Sequence, residues 1–185
     1  MEQWEKELAE IREIQKETAT LAKETFKAIR ELEVKTDGIN NRVEGIGESN
    51  GKFSESYFYN TLLNSMRFGK KDFDLIDKGL KRTQKLPDGK KIKGEYDVIM
   101  YNGDTVALVE IKYKVQKDHL EELATRQIEA FKKLFPQYAN HKFYLGIAGM
   151  SFEDGVEKEA LKRGIGILRP KGESVEILDE KLKVY

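Results

Sequence analysis

The chain has 185 residues, with 33 basic and 33 acidic side chains and a formal net charge of zero. A zero net charge provides no long-range attraction for polyanions. The lack of cysteine excludes disulfide scaffolds and thiol catalysis, and two histidines are too few for a histidine-rich metal centre. No apolar run approaches the roughly 18 residues of a membrane span, and the acidic start is unlike a signal peptide. We therefore expect a cytoplasmic protein without membrane contact, long enough for one domain and an appendage.

The charge is unevenly distributed along the chain. Residues 1–50 contain twelve acidic and eight basic residues, a net charge of −4, so the remainder carries +4. Apolar or small residues recur at intervals of four and three from Trp4 to Ile46, the spacing of a heptad repeat. This pattern predicts a long amphipathic or coiled-coil helix over residues 1–46. Its middle is polar, so two interpretations stay open: a homo-oligomer or partner contact through residues 4–46, and a solvated Glu/Lys-rich helix.

A glycine-rich segment follows the predicted helix. Three glycines in the seven residues 45–51 predict a helix end and a hinge, which we place at residues 47–51. A compact domain is then expected over residues 52–185. It begins with a helix at 53–68, for which Ser54 is the expected N-cap.

The rest of the compact domain is predicted to mix strands and helices. An alternating segment at 73–86 is followed by strands at 94–101 and 104–113, a helix at 117–135, a strand at 142–149, a helix at 153–164 and late strands at 165–169 and 175–178. The order of helix, three strands, helix, strand, helix and strands indicates an α/β domain.

The strongest local signal is Asn102-Gly103 between two apolar runs, which predicts a β-hairpin. Taken as a two-residue loop, it pairs Ile99 with Val106. Side chains alternate between the faces of a strand. One face of the hairpin therefore carries three carboxylates and one ammonium group: Glu95, Asp97, Glu110 and Lys112.

Carboxylates this close destabilise one another, and burial raises the cost. Lys112 offsets one negative charge, and a divalent cation would remove the remaining conflict. Oxygen ligands without histidine or cysteine favour Mg²⁺ or Mn²⁺ over zinc. The alternative is an ordinary cross-strand ion pair on a solvated face, which the same-face neighbours Val106 and Leu108 disfavour.

The run Glu95-Tyr-Asp97, followed by Val106-Ala-Leu-Val-Glu110-Ile-Lys112, resembles the core signature of the PD-(D/E)XK nuclease superfamily. This group includes restriction endonucleases and Holliday-junction resolvases. The resemblance covers roughly residues 51–170, with Tyr96 in place of the proline. It implies a restriction-endonuclease-like α/β core of helix, three strands, helix and strand around a mixed sheet. Bacterial members with a coiled-coil leader have the same layout as this chain.

The resemblance also implies roles for individual residues. Asp97 and Glu110 would ligate Mg²⁺ or Mn²⁺ together with the backbone carbonyl of Ile111. Lys112 would orient or help deprotonate the attacking water and stabilise charge on the phosphate. Glu55, on the preceding helix, would hold a second ion or a water of the first.

Two assignments stay open at this stage. Glu95 is either a further ligand or the partner of a nearby lysine. Either Gln127 or Lys132, on the helix after the motif, would approach the site.

Basic residues are concentrated before the motif. Residues 78–93 carry a local charge of +6, which either borders the site and contacts phosphate or forms a solvated edge ribbon. The candidate substrate-binding residues are Lys81, Arg82, Lys85, Lys114, Gln127 and Lys132.

Together these features predict a Mg²⁺-dependent nuclease that hydrolyses phosphodiester bonds of nucleic acid, with DNA as the expected substrate. The alternative is a catalytically inactive nuclease fold that acts as a coiled-coil binding or assembly module.

Overall fold

The computed structural model describes residues 2–185, and the chain divides into two compact units between residues 48 and 49. Helix α1 (Glu2–Ser65) contributes to both units. Within residues 49–185 the strands are β1 (Arg67–Phe68), β2 (Lys71–Asp72), β3 (Leu75–Lys85), β4 (Lys91–Asn102), β5 (Thr105–Val115), β6 (Lys142–Phe152), β7 (Gly166–Lys171) and β8 (Ser174–Leu178). The further helices are α2 (Lys117–Glu122), α3 (Ile128–Leu134) and α4 (Val156–Arg163), with a π-helical turn (Leu123–Gln127) joining α2 to α3 and a 3₁₀ turn at Pro136–Tyr138. None of the helices in residues 2–185 has a stretch long and apolar enough to be a candidate membrane span.

Strands β3 to β8 form one six-stranded sheet in sequence order. Strand β6 is parallel to β5 and to β7, while the remaining pairs are antiparallel. The predicted fold class, an α/β domain with a mixed sheet and a long N-terminal helix, is confirmed. Apart from the short strands β1 and β2, which were not predicted, the order of elements is also the one that the resemblance implied.

The sheet is covered on both faces. One face packs Ile99 and Leu108 against α2, α3 and α4 through side chains such as Phe131. The other face packs Val98 and Val109 against Phe58 and Leu62, which lie in the part of α1 that belongs to the second unit. Burial on both faces explains why the two hairpin strands are apolar at successive positions.

The predicted hinge at residues 47–51 is not observed, because α1 continues through it. Glycine costs about 1 kcal/mol relative to alanine inside a helix, which weakens the helix without ending it. Ser54 is likewise not an N-cap. It is buried inside α1, and its hydroxyl donates a hydrogen bond of 2.8 Å to the carbonyl of Asn50.

The heptad stripe is exposed in the first unit. Its large apolar side chains, from Trp4 to Ile46, are between 41% and 62% exposed. Residues 2–46 of the helix predicted for residues 1–46 are helical, and its first residue lies outside the described part of the chain. The chain's described residues do not cover the stripe.

The predicted hairpin register is wrong by two residues. Ile99 pairs with Leu108 instead of Val106, and the turn is Gly103-Asp104 between the pair Asn102 and Thr105. Gly103 takes the first turn position with φ of +25°, where glycine is favoured. A shift of two residues keeps the predicted faces of the paired residues, because the side-chain period of a strand is two. Beyond the last pair the alternation fails, since Tyr96 packs with Ile99 and not with Val98 as predicted.

Candidate active site

Strands β4 and β5 part at the predicted carboxylates. Their pairing runs from the turn to Val98 and Val109, and beyond that point β4 continues to pair with β3 alone. Asp97 is the first residue past the break, and the same register extended by one residue places it opposite Glu110. The Oδ2 atom of Asp97 accepts a hydrogen bond of 2.7 Å from the backbone N–H of Ile111. The side chain of Asp97 thus bridges the two strands where their ladder ends.

Glu110 is a buried carboxylate with both oxygens engaged. Its side chain lies on β5, and the residue is only 8% exposed. Lys112 Nζ donates to Oε1 at 2.5 Å, and Gln127 Nε2 donates to Oε2 at 2.9 Å. Buried carboxylates need such partners, so Glu110 is held in one orientation.

The two carboxylates share a crowded and poorly solvated space. Burial raises the pKa of Asp97 to about 7, the negative charge of Glu110 and the more distant Glu55 add to this, and the Ile111 N–H and Lys112 oppose it. Burial also acts to lower the pKa of Lys112. The charge and hydrogen bond of Glu110 outweigh it, so the pKa of Lys112 is raised overall. Lys112 is therefore a permanent cation, as its carboxylate surroundings predict.

A polar cleft of about 350 Å³ opens at this point. Six of the predicted residues line it: Glu55, Asp97, Glu110, Ile111, Lys112 and Gln127. Glu55 comes from α1, within the second unit, and its half-buried carboxylate is close enough to influence the pKa values of both Asp97 and Lys81. The structure thus brings the helix, the two strands and the following helical segment together at one cleft.

Gln127 reaches the cleft because the helix after the motif contains a π-helical turn. Leu123 and Ile128 are five residues apart and both buried, which a straight α-helix does not allow on one narrow stripe. The extra residue of the π turn lets Ile128 take the core position and turns Gln127 toward Glu110. Lys132 lies outside the cleft, with its ammonium group 4.9 Å from the ring centre of Phe143. Of the two residues predicted to approach the site, only Gln127 does so.

Glu95 is the partner of a lysine. Lys81 Nζ lies 2.5 Å from its Oε1, and this hydrogen bond lowers the pKa of Glu95 despite the opposing effect of desolvation. Glu95 is exposed at the rim of the cleft and does not face Glu110, since the register differs from the predicted one. Of the two roles left open for Glu95, the structure shows the ion pair with a lysine.

The other predicted substrate-binding residues lie beyond the cleft wall. Arg82 stacks its guanidinium over the ring of Phe135 at 4.7 Å, and Lys85 and Lys114 are exposed. Three charged residues that line the cleft were not predicted as site residues, namely Lys93, Glu122 and Arg126, and Gly94, Tyr96 and Ala130 line it as well. Glu122 and Arg126 form an ion pair one helical turn apart, and their spacing with Ala130 marks one helix face. That spacing was readable in the sequence, but nothing in it distinguished a cleft-facing stripe from a solvated one.

The oxygen donors of the cleft suit a hard divalent cation. Among residues 2–185, no three His, Cys, Asp or Glu side chains are close enough together to form a ligand group. Mg²⁺ is commonly held by one or two carboxylates, with water and substrate phosphate completing its shell. Asp97 and Glu110, with the carbonyl of Ile111 between Glu110 and Lys112, match that smaller donor set.

Comparisons with known proteins give one weak structural similarity. No family model matches the chain, and no curated protein matches it in sequence. A repair endonuclease from Pyrococcus abyssi is similar in structure with a TM-score of 0.39 and 18% sequence identity. The alignment covers 64% of this chain and 47% of that one, so the chain spans about half the length of that endonuclease. The functional assignment therefore depends on the residues of the cleft.

Proposed function

We propose that the chain is a Mg²⁺- or Mn²⁺-dependent nuclease that hydrolyses phosphodiester bonds of DNA at the cleft between α1, β4, β5 and the π turn. The observation that carries the proposal is the meeting of two crowded carboxylates and a charged lysine, Asp97, Glu110 and Lys112, at the point where β4 and β5 part. Such a group is costly to the fold, and perturbed carboxylates in a cleft are typical of functional sites.

Asp97, Glu110 and the Ile111 carbonyl would hold the cation. When bound, it would polarise a phosphoryl oxygen and make water more acidic. Its charge would also relieve the repulsion that raises the pKa of Asp97. Gln127 and Lys112 hold Glu110 from its two oxygens, and the Ile111 N–H holds Asp97, so the ligand oxygens are positioned before any ion arrives.

Lys112 would act as a fixed positive charge beside the phosphate. Its pKa is raised, which disfavours a role as a general base and favours electrostatic stabilisation of the phosphate oxygens. Glu55 lies across the cleft, where it would orient a water molecule by accepting a hydrogen bond.

The test is cleavage of plasmid, single-stranded and branched DNA, and of matched RNA, with Mg²⁺, with Mn²⁺ and with EDTA. The wild type should cleave only with metal, whereas Asp97→Asn and Lys112→Ala should lose at least about 100-fold in rate, the usual effect of removing one electrostatic catalytic group. Lys158→Ala, an exposed lysine on α4, is the matched control and should keep full activity. Equal cleavage by Asp97→Asn and the wild type would refute the assignment.

The alternative function is a coiled-coil assembly module, and the exposed heptad stripe of the first unit favours it. We propose that residues 4–46 pair two or more copies of the chain, because burying the exposed apolar side chains at the two ends of the stripe would gain about 25 cal/mol for each Å² removed from water. Light scattering should give an oligomer for the wild type and a monomer for Ile29→Lys/Leu32→Lys. Oligomers without metal binding or cleavage would leave assembly as the function, and a monomeric wild type would exclude it.

A further inference from the structure

Strands β3 and β4 form a two-stranded ribbon beyond the cleft. The two strands pair with each other from the cross-strand pair Lys81 and Glu95 to the pair Lys85 and Lys91. Over this stretch β5 has already separated from β4. The inner face of the ribbon packs onto α3 through Leu80, Ile92 and Tyr96. The contact is close at Gly94, where a Cβ atom would lie 2.7 Å from Leu134 Cδ1. Packing on one side therefore fixes which face of the ribbon is presented to solvent.

The solvent-facing side of the ribbon starts at the candidate active site. It carries the odd-numbered residues from Lys91 to Glu95, and two of them, Lys93 and Glu95, line the cleft together with Asp97. Glu95 and Lys81 come first and neutralise each other. Lys93 comes next, opposite Thr83, and Lys91 lies opposite Lys85 at the outer end. At about 3.3 Å per residue, the distance from Asp97 to Lys91 is about 20 Å.

The outer lysines of this track are not neutralised by acidic side chains. Within residues 2–185, the ion pairs of the ribbon are Lys81 with Glu95 and Lys90 with Asp88, and Lys85, Lys91 and Lys93 form none. Lys85 and Lys91 face each other directly, and like charges in that position are destabilising. A single charged side chain is enough to protect a sheet edge against aggregation. Edge protection therefore does not explain why two lysines face each other here. A bound polyanion would remove the repulsion.

We propose that the outer face of the β3–β4 ribbon binds the phosphate backbone of nucleic acid and leads it into the cleft. The proposal rests on the proposed nuclease function for its choice of polyanion. The track of about 20 Å matches about six phosphates of one strand of a duplex. Its exposed side chains are lysines, threonine and an ion-paired glutamate, and the inner face is covered by α3. Because one face is covered, the ribbon cannot insert into a groove of the duplex, where the base edges are read. It therefore binds the phosphate backbone without regard to base sequence.

The test measures binding while cleavage is blocked. A fluorescently labelled duplex and the matching single strand are titrated in EDTA at several salt concentrations. Two triple variants are compared with the wild type: Lys85→Ala/Lys91→Ala/Lys93→Ala in the ribbon, and Lys158→Ala/Lys162→Ala/Lys181→Ala as a control of equal charge elsewhere in the second unit. Thermal melting checks that both variants are folded, which the exposure of all six side chains predicts.

The ribbon variant should bind at least about tenfold more weakly at low salt, and its slope of log affinity against log salt should fall by about 3 on duplex and about 2 on single strand. The control variant should keep the wild-type slope, and two duplexes of different sequence should bind alike. A wild-type slope in the ribbon variant, an equal loss in the control, or no binding by the wild type would each overturn the proposal. Ribbon-dependent binding without cleavage in Mg²⁺ or Mn²⁺ would instead overturn the nuclease assignment and leave the ribbon proposal standing.

Discussion

Replacing Asp97 with asparagine should stabilise the metal-free protein while abolishing its activity. Asparagine has the same shape and keeps an oxygen that can accept the Ile111 N–H hydrogen bond of 2.7 Å. It removes the negative charge that burial and Glu110 make costly. Active sites commonly sacrifice stability in this way, and a purely structural carboxylate would show the opposite effect.

The magnitude follows from the pKa of the carboxyl group. Asp97 ionises with a pKa of 3.8 in an unfolded chain and of about 7 in the folded one. Between these values the folded state binds a proton that the unfolded state has released, so the stability of the wild type falls as the pH rises through this window. At about 1.4 kcal/mol for each unit of pKa, the full cost is about 4 kcal/mol. Adjustment of Lys112 and entry of water would reduce it to about 2 to 4 kcal/mol.

The assay is urea denaturation in EDTA from about pH 4 to about pH 8, where the linkage between protonation and folding is expressed. The free energy of unfolding should be nearly equal for the two proteins near pH 4, and the advantage of Asp97→Asn should grow to its full value near pH 8. Asp154→Asn, an exposed carboxylate, is the control and should differ little from the wild type at any pH. A gain below about 1 kcal/mol at pH 8, or a gain independent of pH, would refute the idea that Asp97 is held against its own ionisation.

Three further predictions concern the same domain. Adding Mg²⁺ or Mn²⁺ at about 100 times its dissociation constant should stabilise the wild type by about 2.7 kcal/mol in urea denaturation and the asparagine variant much less, and equal stabilisation of both would place the ion elsewhere. Gly94→Ala should destabilise the domain by about 1 to 3 kcal/mol, because the added Cβ would collide with Leu134. The control is Gly45→Ala, whose added Cβ meets no atom within 4 Å and should not destabilise the protein. Equal melting temperatures for the two variants would contradict this packing. Gln127→Ala should leave a Glu110 oxygen without its donor and lower the metal affinity by about 10- to 100-fold by calorimetry, while unchanged affinity would mean that Gln127 does not position this ligand.

The periodicity of the sequence predicted much of the fold and part of the candidate site. Alternation predicted which side chains share a face where β4 and β5 are paired, and this part of the prediction survived a register error of two residues because the period of a strand is also two. The same alternation placed Asp97, Glu110 and Lys112 together. The element order followed from helical and strand periods separated by turn residues, so the α/β class could be predicted before any contact was known.

Features that depend on contacts between distant segments could not be predicted in this way. The glycines of residues 47–51 suggested an interruption, but continuous hydrogen bonding keeps α1 helical there. The π turn that presents Gln127 exists because Leu123 and Ile128 must both be buried, a demand set by the core and not by their own propensities. Lys81 became the partner of Glu95 only through the pairing of β3 with β4.

Local patterns thus determined the type of each element, the face of each side chain and the kinds of residue that could form a site. The tertiary structure alone decided which strand parts from its neighbour, which helical segment covers the gap and how deeply each carboxylate is buried. The cost of burying a charge depends on every group packed around it, wherever that group lies in the chain. The raised pKa of Asp97, the physical sign of the cleft, is therefore a property of the fold.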